Sequence, residues 1–524
     1  MFDGIERVIQ FARRPVTPFT GFLFALFLAG LACNAPRRFL HPSPEFTAED
    51  LRQTVEAMPA PATSTSEPST DATPGANPGF FEVPTAYPTP AAGSYRYQTR
   101  SGDTLESLAA RFGVGVGEIS GQGQLLPGSF LPEGVQLSIP ERLEGLSPAQ
   151  PILPDSELVY SPTAAGFDLE TFVSDAGGFL SAYHEELEVD VVLSGAQIVE
   201  RVASELSVNP RLLLAILDLR SGWLFEHPPG AADERYPLGF RIAGREGLYE
   251  EVRIAATQLN LAYYGWREGS FQTIHLEDGA TLRLDPTLNA GTVAVMHLFS
   301  ILESWQDWVE ELYGPAGFPV RYKSLFGDAW ARAAGVNPLI PPGLVQPALE
   351  LPFRTGEAWS FTAGPHNAWN AGTPLGALDF SPITGEEPCA ISTRWVTASA
   401  PGAIVRAADH AVAVDLDGDG FEGTGWVVIY YHLASSGMIE QGTRAVLEQP
   451  LGHPSCQGGQ ATGTHVHVAR KYNGEWLAAD GPVPFTLSGW RVIAGERMYQ
   501  GQLVRDGQVV TADSAGRSGS TIRK

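Results

Sequence analysis

The sequence predicts a multidomain α+β protein in which a small mixed module, a mostly helical middle region and a β-sheet domain follow one another. Three observations lead there. A chain of 524 residues exceeds one ordinary domain, so two to four are expected. Apolar residues recur at three-to-four spacing through 196–206 and 210–220, the period of buried helix faces. Past Pro352 the text becomes short β-like runs punctuated by Gly, Pro and aromatic residues. The formal charge of −25 argues against a nucleic-acid partner, because phosphate binding needs clustered Lys and Arg.

Residues 1–33 form the first element. Arg7, Arg13 and Arg14 precede an apolar run, 19–32, broken by Thr20 and Gly21, with Gly30 near its end. Such a run fits the apolar region of an export signal and falls short of the roughly 20 residues a membrane-spanning helix needs. It ends in Leu28-Ala29-Gly30-Leu31-Ala32-Cys33, which resembles a bacterial lipoprotein cleavage site, with Gly30 where Leu is usual. The resemblance implies lipidation of Cys33; a simple secretory signal or an uncleaved anchor stays open, and each implies export to the cell envelope or beyond. With Cys33 lipidated, Cys389 and Cys456 remain as an even pair in an oxidising compartment, either disulfide-bonded or as two buried thiols. Residues 34–93 are dominated by Pro, Ala, Thr, Ser and Glu, with too little apolar surface to fold, and read as a disordered tether.

Residues 94–141 are patterned again. Ser101-Gly102-Asp103-Thr104-Leu105 opens an amphipathic helix with Leu105, Leu108, Ala109 and Phe112 on its apolar face and Thr104 or Asp103 as cap. A second short helix near 116–119 and a strand-like 135–139 follow. The segment resembles a LysM domain, which implies a βααβ module that binds glycans such as peptidoglycan; the alternative is a spacer. Gly121-Gln122-Gly123 departs from the Asn-rich text usual there.

Residues 165–345 read as a helical domain, with Pro210 in the first turn of one helix and Asn209 as its cap. The stretch 208–223 resembles the opening of lysozyme-like lytic transglycosylases, whose catalytic Glu directly precedes a Ser. Here Arg220 precedes Ser221, and a guanidinium has no usable acid form near neutral pH. The domain is therefore expected to be noncatalytic, with Asp218 or Glu226 as the only substitutes nearby.

In residues 350–495 three motifs carry chemistry. His366 and Asp379 flank a Gly-rich loop; Tyr431-His432-Leu433 ends a strand; and His465-Val466-His467 opens another, where a period of two puts both imidazoles on one face. Singly each is weak. In this order they resemble the lysostaphin-type, LytM-like zinc metalloendopeptidases, and in particular the β-lytic branch with its longer loop between first His and Asp. The resemblance covers 359–495 and implies an antiparallel sheet, with one Zn²⁺ bound by His366, Asp379 and His467. It further implies His465 as general base and His432 as stabiliser of the developing oxyanion in hydrolysis of cell-wall peptides. The alternative is a noncatalytic wall-bound activator of another hydrolase. His410 and His453 read as structural, and Asp415, Asp417 and Asp419 as an acidic turn, since position twelve of a calcium loop holds Trp426. Residues 496–524 read as a short hairpin and a disordered tail.

Overall fold

The computed structural model describes residues 93–121, 126–188, 191–227 and 230–524, all within one unit, 45–524. The expected signal with Cys33, residues 34–92 of the tether, and Gln122 and Gly123 lie outside the described residues.

Strand β1 (Ser94–Gln98), helix α1 (Leu105–Phe112), a 3₁₀ turn (Val116–Glu118), β2 (Ser120–Gly121) and β3 (Gln136–Pro140) make the first module, with β3 antiparallel between the other two strands. Thr104 caps α1 by accepting from the Ser107 N–H, and Gly113 ends it at φ 66°, a left-handed turn that suits glycine. The module is seated on the helical region. Arg267 donates to Ser101 O, the Ile340 N–H to Ser101 Oγ at 2.7 Å, and Arg100 to Thr287 O at 2.5 Å.

The middle region is built on α2 (Gly195–Leu206), α3 (Pro210–Ser221), α4 (Leu248–Glu268) and α5 (Ala290–Ser300). Ser194 and Gln197 form a capping box on α2, and Asn209 caps α3 with Pro210 in the first turn. Helix α5 is buried along its whole length. Two hairpins, His184–Glu188 with Val191–Ser194 and Thr273–His275 with Thr281–Arg283, interrupt the region that was expected to be helical. Their strands are only three to five residues long, too short for a helical or an alternating apolar pattern to mark them.

The C-terminal sheet is antiparallel throughout. Its strands are β4 (Ala358–His366), β5 (Ala377–Pro382), β6 (Gly402–Ala408), β7 (Ala411–Asp415), β8 (Trp426–Tyr431), β9 (Arg444–Ala445), β10 (Val466–Tyr472) and β11 (Glu475–Trp476). The order runs β9-β6-β7-β8-β10-β5-β4, with β11 paired to β10. Along β10, Val466 and Val468 enter the domain's own core with Val428, Tyr430, Leu378, Phe361 and Trp359. Ala469, Ile429, Val427, Ala413 and Ala377, on the opposite face, share one core with Leu206, Leu259 and Tyr263 of the helical region. Both faces are thus covered, and the central strands β7 and β8 read as near-continuous apolar runs for that reason.

The expected end of this domain at residue 495 and the expected disordered tail are both corrected. After β12 (Thr486–Leu487) and β13 (Trp490–Ala494), strands β14 (Gly501–Arg505) and β15 (Gln508–Thr511) complete a four-stranded sheet. Strand β16 (Thr521–Arg523) then pairs with β4 at the edge of the main sheet, burying Ile522. Backbone ladder bonds hold this tail, so its Ser, Gly and Arg side chains carry little sign of it.

Where helices meet sheet, Glu422 is buried between Arg406 (2.9 Å, two bonds) and Lys471 (2.6 Å). Burial alone would raise its carboxyl, but the two cations outweigh that and hold it down at about 2. A carboxyl lowered on folding stabilises the fold above its unfolded value, near 4.3, and that stabilisation is lost as pH falls towards 2. Glu422→Gln, which leaves Lys471 buried without its counter-charge, is expected to cost about 3–5 kcal/mol in urea unfolding. The difference between variant and wild type should shrink below about pH 4.

Candidate metal centre

Strand register assembles the centre. His467 on β10 lies opposite Asp379 on β5 and Tyr431 on β8, while Asp379 faces Ala363 and His366 faces Ala377 across β4 and β5. A bulge between Ala363 and His366 lets β4 deliver His366 to the same spot. His366 Nε2 is 3.0 Å from His467 Nδ1 and 3.2 Å from Asp379 Oδ1, and His467 Nδ1 is 3.5 Å from that oxygen. All three side chains are buried.

The proton positions follow from the outer partners. His366 Nδ1 lies 2.9 Å from Gly364 O and His467 Nε2 lies 2.9 Å from Ala368 O. Carbonyl oxygens only accept, so each outer nitrogen carries the proton and each inner nitrogen a lone pair. Two lone pairs and a carboxylate oxygen that lacks a donor in hydrogen-bond geometry thus meet in one buried place. A divalent cation satisfies all three at once, and two imidazoles with one carboxylate are a zinc-type donor set. Burial alone would raise the Asp379 carboxyl, but the neighbouring histidines hold it well below the usual carboxylate range. Burial pushes His467 below the usual imidazole range, favouring the neutral ring that ligates a metal, and pushes the neighbouring His432 well below it too.

The other two predicted histidines stand beside this triad. His465 Nε2 lies 3.6 Å from Asp379 Oδ2, and its Nδ1 donates to Gly463 O at 2.7 Å. The His432 ring is 4.5 Å from that of His465, and its Nδ1 donates to Gln457 O at 3.0 Å. His432 sits at φ 65°, a left-handed conformation that costs a non-glycine residue about 1–2 kcal/mol. All five residues singled out in the sequence therefore converge. His410 and His453 do not join them: their Nδ1 atoms reach Leu433 O and Arg394 O. Asp415 accepts N–H bonds from Asp417, Gly418 and Gly420, closing the acidic turn.

Two residues that the sequence did not single out also shape the site. The Tyr499 ring stacks on His366 at 4.9 Å, and paired backbone bonds link Tyr499 to Gly364 and Pro365. It comes from the segment expected to lie beyond the domain, and nothing in its local text marks it. Trp369, in the loop between His366 and Asp379, packs in a tilted arrangement on Tyr431, ring centres 4.5 Å apart. That loop rests on the helical region: Asn370 donates to Thr257 Oγ1 at 2.8 Å, and Gly372, at φ 99°, lies so close to α4 that a Cβ would sit 2.8 Å from Thr257 O.

Known proteins resemble both halves of the chain. Residues 151–340 match the family model described as "LasA, N-terminal domain". Protease LasA of Pseudomonas aeruginosa (strain UCBPP-PA14) is 25% identical over 375 residues, 66% of this chain and 79% of that protein. The beta-lytic metalloendopeptidase of Lysobacter enzymogenes is 30% identical over 165 residues, 30% of this chain and 84% of that protein. Among solved structures, the deep-sea M23 metalloprotease pseudoalterin is 25% identical, with 32% of this chain and 96% of that one covered at a TM-score of 0.28. Identity at this level across most of the Lysobacter protein places the chain in the beta-lytic metalloendopeptidase family.

Proposed function

We propose that the chain is an exported, zinc-dependent endopeptidase that cleaves stem peptides or cross-bridges of peptidoglycan. The observation that carries this reading is the meeting of His366 Nε2, His467 Nδ1 and Asp379 Oδ1 with their protons held elsewhere. These three residues hold one zinc ion, which when bound lowers the pKa of a water towards neutrality and polarises a carbonyl. His465, with its proton on Nδ1 and its Nε2 lone pair 3.6 Å from Asp379 Oδ2, is the base that accepts the proton of the attacking water. His432 is assigned to the oxygen that gains charge; with its Nδ1 committed to Gln457 O, this role requires the ring to take up a proton on Nε2 during the reaction, against the burial that keeps the resting ring neutral. Tyr499 covers the His366 ring, and Trp369 packs on Tyr431, the β8 neighbour of His467.

The remaining domains take supporting roles in this reading. Residues 94–141 are a LysM-like module that engages wall glycan. The helical domain takes a noncatalytic role in this reading: Arg220, where an acid would be needed, is committed to Glu303 and Leu238 O, and Asp218 is paired with Arg321. The Cys389–Cys456 disulfide supports export to an oxidising compartment, in line with an N-terminal signal and lipidation at Cys33.

Metal analysis of the purified protein is expected to find one zinc per chain. Chelation should abolish release of muropeptides from purified peptidoglycan, and added zinc should restore it. His467→Ala should lose both zinc and cleavage. His465→Ala should keep zinc and lose cleavage by about 10²-fold or more, the usual worth of a positioned base. Undiminished muropeptide release by both variants overturns the proposal, and metal-free wild type that cleaves nothing points to a wall-bound activator instead. Because His410 Nδ1 is engaged by Leu433 O and the Ser435 hydroxyl, and His453 Nδ1 by Arg394 O, all away from the triad, His410→Ala and His453→Ala are expected to leave turnover and zinc content unchanged.

A further inference from the structure

The two histidines outside the metal triad owe their placement to a loop, and the loop is tied down in an uncommon way. His432 is the first residue past β8, in left-handed backbone, and its carbonyl accepts two bonds from one residue: the Ser455 N–H at 2.8 Å and the Ser455 hydroxyl at 2.9 Å. Two residues on, Gln457 O takes the His432 Nδ1 proton at 3.0 Å. The same Ser455 forms an isolated antiparallel bridge with His465, whose N–H reaches Ser455 O at 3.4 Å. Buried Ser455 thus touches the backbone of both histidines.

Between Ser455 and Gln457 stands Cys456, bonded to Cys389 across 67 residues of sequence. The residue after Cys389 closes the circuit, because Ala390 O accepts the Thr464 hydroxyl at 2.7 Å, one residue before His465. One covalent bond therefore joins two loops, the first fixing His432 and the second the approach to His465. The metal triad is held by other means, namely the register of β4, β5 and β10 and the carbonyls of Gly364 and Ala368.

We propose that Ser455, Gln457 and the Cys389–Cys456 disulfide form a positioning clamp that sets the backbone and tautomer of His432 and the entry of His465, separately from the metal centre. The residues of the clamp touch no reacting atom and act through the two histidines. The proposal rests on the functional reading above for its effect on turnover, whereas its structural claim stands on the hydrogen bonds alone.

The test uses the full chain in three forms: Ser455→Ala, the double variant Cys389→Ser/Cys456→Ser, and wild type reduced by a phosphine and then reoxidised. Zinc content, kcat and KM on a soluble muropeptide, and the Nδ1–H signal of His432 in ¹⁵N-histidine-labelled, metal-free protein are measured for each. We expect kcat to fall about 10- to 100-fold, the cost of misplacing a reacting group by roughly an ångström. Zinc content and KM should hold, the Nδ1–H signal should be lost, and reoxidation should restore both signal and turnover. Unchanged kcat with the signal retained overturns the clamp. So does a fall in kcat matched by equal loss of zinc, which marks general unfolding. If wild type cleaves no muropeptide, the peptidase reading fails, and the imidazole signal still decides whether the clamp exists.

Discussion

Everything in the C-terminal half depends on the register between β10 and its two neighbours. Side chains alternate along a strand, so a slip of one residue would turn His467 into the apolar core and bring Val466 to the metal centre. The sheet resists that slip from both sides. Val466 and Val468 are fitted among Phe361, Phe380 and Tyr430, while Ala469 and Ile429 meet the helices on the other face. Hydrophobic burial on two faces thus fixes the spacing of two lone pairs and a carboxylate that repel one another in the absence of a cation.

The helical region supplies one wall of that arrangement. It shares a core with the sheet, and polar bonds fix its position: Tyr263 and Arg267 on Glu475, Ser207 on Gly474 O, and Asn370 on Thr257. The loop carrying Trp369 is seated on α4 by Gly372, so the shape of the metal-site rim is set partly by a helix that begins more than a hundred residues earlier. The first module is anchored to the same block through Ser101 and Arg100.

Local chemistry was the legible part of the sequence. His465 and His467 share a face because strand alternation needs only adjacent residues, and the caps at Thr104 and Asn209 are equally local. His366 and Asp379 were legible through the order of motifs, which carries information that neither residue has alone. Long-range backbone contacts were not legible. Tyr499 is brought onto the His366 ring by main-chain bonds to Gly364 and Pro365, Ser455 holds His432 through the histidine's carbonyl, and β16 pairs with β4 through its ladder. None of these leaves a pattern in side-chain type. Burial of the sheet's second face was hidden for a related reason: Ala413, Ala469 and Ala377 are small, and only their partners on the helices show that they lie inside.

The disulfide-tied loop has a consequence for how such a centre can change over generations. A ligand set written into strand register is all-or-nothing, since any shift that moves one ligand moves its neighbours and empties the core as well. A histidine pair held by loop carbonyls and one cross-link depends on contacts outside the strand ladder, and the more exposed positions of such a loop accept exchanges that a sheet does not. Exchanges within 453–464 that spare Ser455, Cys456 and Gln457 can therefore shift the two histidines while the strand register that places His366, Asp379 and His467 stays as it is.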